Sequence, residues 1–490
     1  MPTLQELERV ARGGAPLPLT AEDRARIAAA RAVIDDALAS GSAVYGVTTG
    51  IGNLASVRID AEDAAALQLN LVRSHAVGAG PALPLEVVRA MLVLLASSLR
   101  RGHSGVCEEV VELLLDMLER GVTPVVPAKG SVGSSGDLAP LAHIALVLVG
   151  EGEAEVEGRR LGGAAALDRA GLRPVTLAPK EGLALINGTH LMAAAGGLAV
   201  RDARRLLEAA VVALALSLEA FKGSTVPFDA RLAGVRPHPG HERAAARLRT
   251  LLDGSEVVAS HADCGRVQDP YTLRCAPQVL GAVDDALTYV EDALERELRA
   301  VTDNPLVFPE DGDVVAGGNF HGQPLSLPLD HLALVLCELA SFSERRTYAL
   351  LSPSYAELPP FLSARPGLST GLMITQYAAA ALVNESQVLA HPAGAGSIPT
   401  SAGQEDFNSM GAAAALKART AVENCAQVIA IELVCACQGL EFHRPLRTTP
   451  PLEAAIERVR AVVPRVEEDR VLSGELSALA HALRTGELVL

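Results

Sequence analysis

A long apolar repeat between residues 277 and 302 limits the folds that are open to this chain. Its apolar side chains recur at spacings of three and four residues, and charged side chains occupy other positions; the apolar set is Leu280, Val283, Leu287, Val290, Leu294, Leu298 and Val301. This period is that of an α-helix with one buried stripe. A helix of such length must cover its stripe with other helices, so the repeat predicts a helical bundle or coiled coil.

Helical patterns cover most of the remaining chain. Thr20 followed by Asp23 is typical of a helix N-cap, and Gly41 stands where the same helix is expected to end. The aromatic fraction is 3% and tryptophan is absent, so small aliphatic side chains must fill the core, which suits closely packed helices. We predict further apolar helices over residues 85–100, 137–149, 329–351, 372–389 and 412–438.

Strand signals are few and short. Residues 153–161 alternate weakly around Glu157-Gly158, and residues 306–315 have the pattern of a hairpin closed by Asp311-Gly312. Polar residues gather instead in loops between the helices, which predicts a rigid helical scaffold that carries its chemistry in loops. We place a domain boundary near residue 220, between a mixed N-terminal domain (1–220) and a helical C-terminal domain (221–490).

Charge and hydropathy exclude some classes of partner. The formal net charge of −16 argues against nucleic acid or an anionic membrane as the main partner. Two apolar stretches, 182–200 and 209–218, have the hydropathy of membrane spans. The first contains Asn187-Gly188-Thr189-His190, which is costly in lipid, and the second is too short to cross a bilayer. We therefore expect both stretches to be buried core and no membrane association.

The cysteines indicate the cellular compartment. Seven are present, an odd number scattered through a long chain, and this usage predicts reduced thiols in a cytoplasmic protein rather than a disulfide framework. Cys435 and Cys437 lack a second cysteine or histidine pair nearby, so no metal site is expected.

Residues 130–143 carry the strongest chemical signal. Gly136 offers a peptide nitrogen that no side chain shields, and Ser135 offers a hydroxyl that can leave as water. Attack of the Gly136 nitrogen on the Ser134 carbonyl, with loss of two waters, gives an electrophilic five-membered ring. The alternative is a flexible turn, which is the usual interpretation of a bare Ser-Ser-Gly without these flanking residues. The following helix would place its positive N-terminal end beside the tripeptide.

The whole segment resembles the signature of the histidine and aromatic amino-acid ammonia-lyases. The resemblance implies that Ser134, Ser135 and Gly136 form the prosthetic group 4-methylidene-imidazol-5-one (MIO), with Ser134 in place of the usual Ala. Ring closure uses the carbonyl of that residue, so serine should be tolerated. No metal or diffusible cofactor is implied.

The same resemblance implies an architecture and an assembly. The fold would be mainly α, a long-helix bundle of the fumarase/aspartase-like superfamily with a smaller mixed N-terminal domain that bears MIO. The protein would be a homotetramer whose active sites are assembled from loops of more than one subunit. Low charge and long apolar helix faces agree with burial in an oligomer.

Three further loops match the family's catalytic positions. Residues 44–52 resemble its tyrosine loop, in which Tyr45 would be the general base that takes the β-proton, although Thr48 replaces a common Asn and Ile51 replaces an aromatic residue. Tyr271, in residues 267–278, would line the site near MIO. Glu405, in residues 400–406, would face the substrate side chain, where a carboxylate suits an imidazole N–H.

The resemblance also implies substrate-binding residues. His75 would contact a substrate imidazole, and Asn187 would hold the substrate amine or the MIO oxygen. Arg274 would clamp the substrate carboxylate, because its planar fork forms paired hydrogen bonds. Gln268 and Phe320 would line the site near MIO.

These motifs occur in the family's order and span nearly the whole chain. They imply non-oxidative elimination of ammonia from L-histidine, a small-molecule amino acid, to give trans-urocanate in histidine catabolism. Ser74-His75 and Gln404-Glu405 favour that substrate. Thr48, Ile51 and Phe407 leave open a phenylalanine or tyrosine ammonia-lyase or an aromatic aminomutase. A third hypothesis is a non-catalytic paralogue whose loop never cyclises.

Overall fold

The computed structural model describes residues 2–262, 265–353 and 356–490 of the chain. It consists mostly of helices, several of them long, which confirms the predicted mainly α fold. The helices are α1 (Leu4–Ala11), α2 (Ala21–Ser40), α3 (Ala64–His75), α4 (Leu85–Leu99), α5 (Glu108–Glu119), α6 (Leu138–Leu148), α7 (Gly163–Arg169), α8 (Glu181–Ile186), α9 (His190–Ala220), α10 (Ala230–Val235), α11 (Pro239–Leu252), α12 (Glu256–Ala259), α13 (Tyr271–Arg274), α14 (Ala276–Glu297), α15 (Gln323–Leu351), α16 (Met373–Leu389), α17 (Gly411–Glu441), α18 (Pro450–Val462) and α19 (Ser473–Thr485).

Local sequence signals set several of these boundaries. Thr20 and Asp23 form the reciprocal capping box that begins α2, and Gly41 ends that helix with a left-handed φ of 68°. The predicted end of α14 at residue 302 is wrong, because the helix stops at Glu297 and the chain turns to bring Thr302 and Asp303 to the Asn187 loop. Helix α15 covers the predicted range 329–351 and begins earlier, at Gln323, with Pro328 near its start.

The strands are short and antiparallel. They are β1 (Ala79–Ala82), β2 (Thr123–Pro124), β3 (Pro127–Lys129), β4 (Glu153–Val156), β5 (Arg159–Gly162), β6 (Leu306–Phe308) and β7 (Asp313–Val315). Strand β1 pairs with β3, and β4 lies between β2 and β5. The β4–β5 turn places Glu157 and Gly158 at φ values of 50° and 71°. Strand β6 pairs with β7, so the predicted hairpin over residues 306–315 is present.

The chain divides into two compact units. The first comprises the chain up to Leu198, with Glu291–Asp330 and Pro392–Leu416. In it, α4 packs against α1 and α5, and α3, α6 and α8 pack against one another. This triangle of helices lies under the loops that carry Tyr45, the tripeptide and Asn187. The boundary at residue 220 stays a prediction.

The second unit comprises Ala199–Val290, His331–His391 and Lys417–Leu490. Its helices share a buried polar centre at Glu432 of α17, whose side chain has no exposed surface. Glu432 accepts hydrogen bonds from Ser217 of α9 at 2.8 Å and from Ser343 of α15 at 2.6 Å, and it is paired with Arg346. The charges of Glu432 and Arg346 therefore compensate each other in a part of the unit from which water is excluded.

The apolar stretches are buried as predicted. Residues 182–200 and 209–218 lie in the core. Helices α15 and α17 have the length and composition of membrane spans, but 67% and 83% of their apolar windows are buried inside the protein. Such burial is typical of the core helices of a folded domain.

Candidate active site

A cavity of about 1050 Å³ in the first unit gathers most of the residues that the sequence singled out. Its lining includes Tyr45, His75, Ser134, Ser135, Asn187, Phe320 and Glu405. These residues come from six separate loops or helix ends. Gly136 is not part of the lining surface.

The tripeptide occupies a tight turn at the start of α6. Ser135 has a φ of 47°, which is rare for a residue with a side chain, and Gly136 has a φ of 80°. A Cβ on Gly136 would lie 2.1 Å from the Gly188 carbonyl oxygen, so only glycine fits there. The Asp137 N–H donates to that same oxygen at 2.7 Å, and the Gly188 N–H donates to the Ser135 carbonyl at 3.1 Å.

These features fit the formation of MIO from this segment. The close approach of Gly188 keeps position 136 free of a side chain, so the peptide nitrogen is unshielded. The surrounding contacts hold Ser135 in a backbone conformation that an unconstrained serine avoids. The buried hydroxyl of Ser134 has no hydrogen-bond partner among the described residues. It makes no contact that ring closure at the backbone would break.

Asp137 anchors this turn, and the sequence analysis missed its role. Its carboxylate accepts hydrogen bonds from the N–H groups of Leu191 and Met192 at 2.8 and 3.1 Å, in the first turn of α9. It also accepts from the Ser131 hydroxyl at 3.1 Å. Burial raises the pKa of Asp137 to about 7, although these donors stabilise its charged form. The one indication of this role in the sequence is that an aspartate directly follows the tripeptide.

Tyr45 is held by its loop and by a buried glutamine. The Gly52 N–H donates to the Tyr45 hydroxyl oxygen at 2.9 Å. Gln68, fully buried on α3, donates to the Gly46 carbonyl at 2.9 Å and accepts from the Leu183 N–H at 3.0 Å. Thr48 contributes as well, because its hydroxyl donates to the Ser42 carbonyl at 2.7 Å. Hydrogen bonds of Tyr45, Gln68 and Thr48 therefore hold the backbone of this loop.

Asn187 presents its amide oxygen rather than its amide nitrogen. The nitrogen donates to Asp303 Oδ1 at 3.1 Å and to the Asn304 carbonyl at 2.8 Å. Both of those atoms can only accept, so they fix the amide orientation and use both N–H groups. The Asn187 oxygen remains for a donor in the cavity.

His75 and Glu405 both present acceptors as well. His75 Nδ1 lies 2.9 Å from the Leu71 carbonyl oxygen, which can only accept, so the neutral ring carries its proton on Nδ1 and leaves Nε2 as an acceptor. Glu405 Oε2 accepts from the Thr400 hydroxyl at 2.6 Å. The cavity thus offers a lone pair and a carboxylate to a ring that carries N–H groups.

An aromatic pair beside Phe320 was also missed. His321 stacks on Phe407, with ring centroids 6.2 Å apart and an interplanar angle of 12°. His321 Nε2 donates to the Phe407 carbonyl at 3.1 Å, while its Nδ1 accepts from the Gln323 N–H at 3.3 Å. Both residues line the cavity. Phe407, noted in the sequence as a departure from histidine, has an aromatic partner here.

Gln268, Tyr271 and Arg274 belong to the second unit and do not line this cavity. The side chain of Tyr271 is 70% exposed, and the Arg274 guanidinium lies over its ring at 4.6 Å. Arg274 Nε is buried without a hydrogen-bond partner, and no carboxylate pairs with Arg274 in the part of the chain that the structure describes. Their predicted roles stay predictions.

The remaining candidate ligands do not assemble into a metal centre in the described residues. No group of three or more His, Cys, Asp or Glu side chains there is arranged to hold an ion. The six described cysteines are free thiols, and Cys264 lies outside the described residues. Burial raises the pKa of Cys435 and Cys437 to about 12, so neither is a thiolate at neutral pH.

Comparison with known proteins accounts for this arrangement. The sequence profile of the family described as aromatic amino acid lyase matches residues 3–461. A histidine ammonia-lyase from Sorangium cellulosum is 52% identical, covering 99% of this chain and 96% of the relative. The crystal structure of histidine ammonia-lyase from Trypanosoma cruzi superposes with a TM-score of 0.92 at 43% identity, covering 99% of this chain and 92% of that one. A phenylalanine aminomutase from Pantoea agglomerans gives a TM-score of 0.94 at 32% identity, covering 99% and 98%.

The chain belongs to the aromatic amino acid lyase family. The predicted family resemblance is confirmed, as is the predicted class of enzyme, a carbon–nitrogen lyase.

Proposed function

We propose that this enzyme eliminates ammonia from L-histidine to give trans-urocanate, with an MIO group formed from Ser134, Ser135 and Gly136. The observation that carries the proposal is the convergence of Tyr45, His75, Asn187 and Glu405 on one cavity beside the tripeptide. The high identity to histidine ammonia-lyases over the full chain supports the same substrate.

The chemistry needs an electrophile and a base on one substrate. MIO, once formed, supplies a strong electrophile that makes ammonia loss feasible. Tyr45 then takes the β-proton on its phenolic oxygen. The phenolate is the form that can accept this proton, and the Gly52 N–H donates a hydrogen bond to its oxygen at 2.9 Å.

Asn187 holds the substrate amine in this proposal. Its free group in the cavity is an oxygen, which accepts a hydrogen bond from an ammonium but cannot donate one to the MIO oxygen. Between the two roles that the sequence left open, the hydrogen-bond pattern therefore supports the amine.

His75 and Glu405 select the side chain. An imidazole ring brings one N–H when neutral and two when protonated, whereas a phenyl ring brings none. A phenyl ring would leave the His75 Nε2 and Glu405 acceptors dehydrated without donors, at a cost of about 1–3 kcal/mol for each. Imidazole substrates are favoured for that reason.

Gln268, Tyr271 and Arg274 complete the site from a neighbouring subunit of a homotetramer. Their absence from the cavity lining and the 70% exposure of Tyr271 support this assignment. Arg274 would bind the substrate carboxylate through its planar fork. We place the enzyme in the cytoplasm, where free thiols persist.

The deciding experiment assays the purified enzyme in parallel with L-histidine, L-phenylalanine and L-tyrosine. Urocanate as the main product supports the proposal. Cinnamate, coumarate or a β-amino acid would instead indicate one of the alternative lyase or aminomutase activities. Mass spectrometry of the intact chain should show the loss of two waters within residues 134–136, and an unmodified tripeptide in an inactive protein would indicate the non-catalytic paralogue.

A further inference from the structure

The loop that carries Glu405 is closed on itself. The Thr400 N–H donates to the Glu405 carbonyl at 3.0 Å, and the Glu405 N–H donates back to the Thr400 carbonyl at 3.4 Å. Between them Ser401 and Ala402 have φ values of 49° and 52°, in the left-handed region that residues with a Cβ rarely adopt. Such strained residues persist where surrounding contacts determine the conformation, and they cluster at functional sites.

Side chains continue this closure up to the carboxylate. The Thr400 hydroxyl donates to Glu405 Oε2 at 2.6 Å, and the Asn408 amide nitrogen donates to that hydroxyl at 3.1 Å. An amide nitrogen can only donate, so Asn408 occupies a lone pair of the hydroxyl and directs its hydrogen at Glu405.

Burial and hydrogen bonds hold Asn408 in place. Its side chain is buried, with a residue exposure of 2%, and its amide nitrogen also donates to the Ile398 carbonyl at 2.7 Å. Its backbone N–H donates to the Ser397 hydroxyl at 2.7 Å. The hydrogen-bond chain from Asn408 through Thr400 to Glu405 therefore starts from a fixed point.

We infer that Thr400 is a positioning residue that sets substrate specificity through Glu405. It fixes Oε2, while Oε1 has no hydrogen-bond partner among the described residues and is left for an N–H of the substrate ring. Without the hydroxyl, a three-torsion glutamate is free to turn toward water, and the cavity loses an oriented acceptor. The inference rests on the proposed function and adds a residue to it.

The test compares Thr400→Val, which keeps the shape and removes the hydroxyl, with Thr400→Ser, which keeps the hydroxyl. Thr400→Val should lower kcat/KM for L-histidine by about 10-fold, because a hydrogen bond to a charged group is lost. Its inhibition constant for trans-urocanate should rise, while that for cinnamate, which has no N–H, should stay within about twofold. Thr400→Ser should restore both values.

A double-mutant cycle separates positioning from a general structural effect. In a Glu405→Ala background, Thr400→Val should change kcat/KM no further, because Thr400 acts only through Glu405. Equal losses in both backgrounds, or a Thr400→Val enzyme that matches the wild type, would overturn the inference. If Thr400→Val does not fold, Thr400→Ala carries the same expectations. A wild type that does not convert L-histidine would contradict the proposed function instead, so the two failures are distinguishable.

Discussion

Lys180 and Asp303 form a buried ion pair, with Nζ 2.7 Å from Oδ2 and side chains that are 0% and 3% exposed. The other oxygen of Asp303, Oδ1, accepts a hydrogen bond from the amide nitrogen of Asn187 at 3.1 Å. Lys180 also adopts a left-handed φ of 80°, which indicates that the surroundings determine its position. The ion pair thus fixes the acceptor that orients the Asn187 amide at the cavity.

Removal of one partner of this pair should destabilise the protein. Lys180→Met leaves Asp303 buried and unpaired, at an expected cost of about 3–5 kcal/mol in the free energy of unfolding. Adding Asp303→Asn removes the orphaned charge and should recover part of that loss. Urea denaturation of the two variants measures both effects. Arg160→Met is the matched control, because its pair with Glu153 is 54% exposed on both sides and solvent screens it, so its loss should cost far less. Equal losses in Lys180→Met and Arg160→Met would refute the role of the buried pair.

Neighbouring serines of the tripeptide should behave differently. Ser135→Ala removes the hydroxyl that leaves as water, so the chain should keep its full mass and lose turnover. Ser134→Ala keeps the carbonyl that ring closure uses, and it should still lose two waters. Intact-mass spectrometry and the histidine assay measure both outcomes. Cyclisation and turnover in Ser135→Ala would disprove the assignment of the prosthetic group.

Tyr45→Phe should separate the base from the electrophile. The variant keeps the ring and the Gln68 contact to the loop backbone but has no phenolic oxygen to accept a proton. We expect kcat to fall by about 10²-fold or more, with the loss of two waters unchanged. Tyr289→Phe, on a residue 49% exposed in the second unit, is the control and should retain activity. Near-normal turnover in Tyr45→Phe would remove it from the mechanism.

His190 should make stability depend on pH. Burial lowers its pKa from 6.5 to about 4, although Asp303 acts in the opposite direction. Between these two pH values His190 binds a proton in the unfolded chain but not in the folded protein. The free energy of unfolding therefore falls as the pH drops from 6.5 to 4. His190→Gln does not titrate, and the unfolding free energy of the wild type relative to this variant should fall over that window by on the order of 3 kcal/mol.

The comparison of the wild type with His190→Gln separates the effect of His190 on stability from that of Asp137. The raised pKa of Asp137 stabilises the folded state at low pH and is present in both, so it cancels in the difference. Denaturation curves that shift in parallel with pH for wild type and His190→Gln would contradict the prediction.

Periodic and terminal signals were readable in the sequence because they are local. The capping box at Thr20 and the hairpin turn at Asp311 involve residues a few positions apart. The end of α14 was misplaced because Thr302 and Asp303 serve contacts to the Asn187 loop, more than 110 residues earlier in the chain. No periodicity encodes such a pairing.

The site shows the same division. Tyr45, His75, Asn187 and Glu405 could be named from motifs, and the structure brings them to one cavity. Gln68 and Asn408, which fix the Tyr45 and Glu405 loops, lie outside the matched motifs, and Thr400 lies in a motif that does not reveal its contact with Glu405. Their roles depend on which carbonyl or amide lies opposite, and that is decided only when the chain is folded.

The walls around the reactive turn have a consequence for biosynthesis. Gly188 closes one side of Gly136, and the Met410 N–H donates to the Val132 carbonyl at 2.9 Å on the other. A nascent chain on the ribosome lacks the second of these contacts until residue 410 has emerged. The contacts that enclose the turn are therefore complete only when nearly the whole polypeptide has been synthesised.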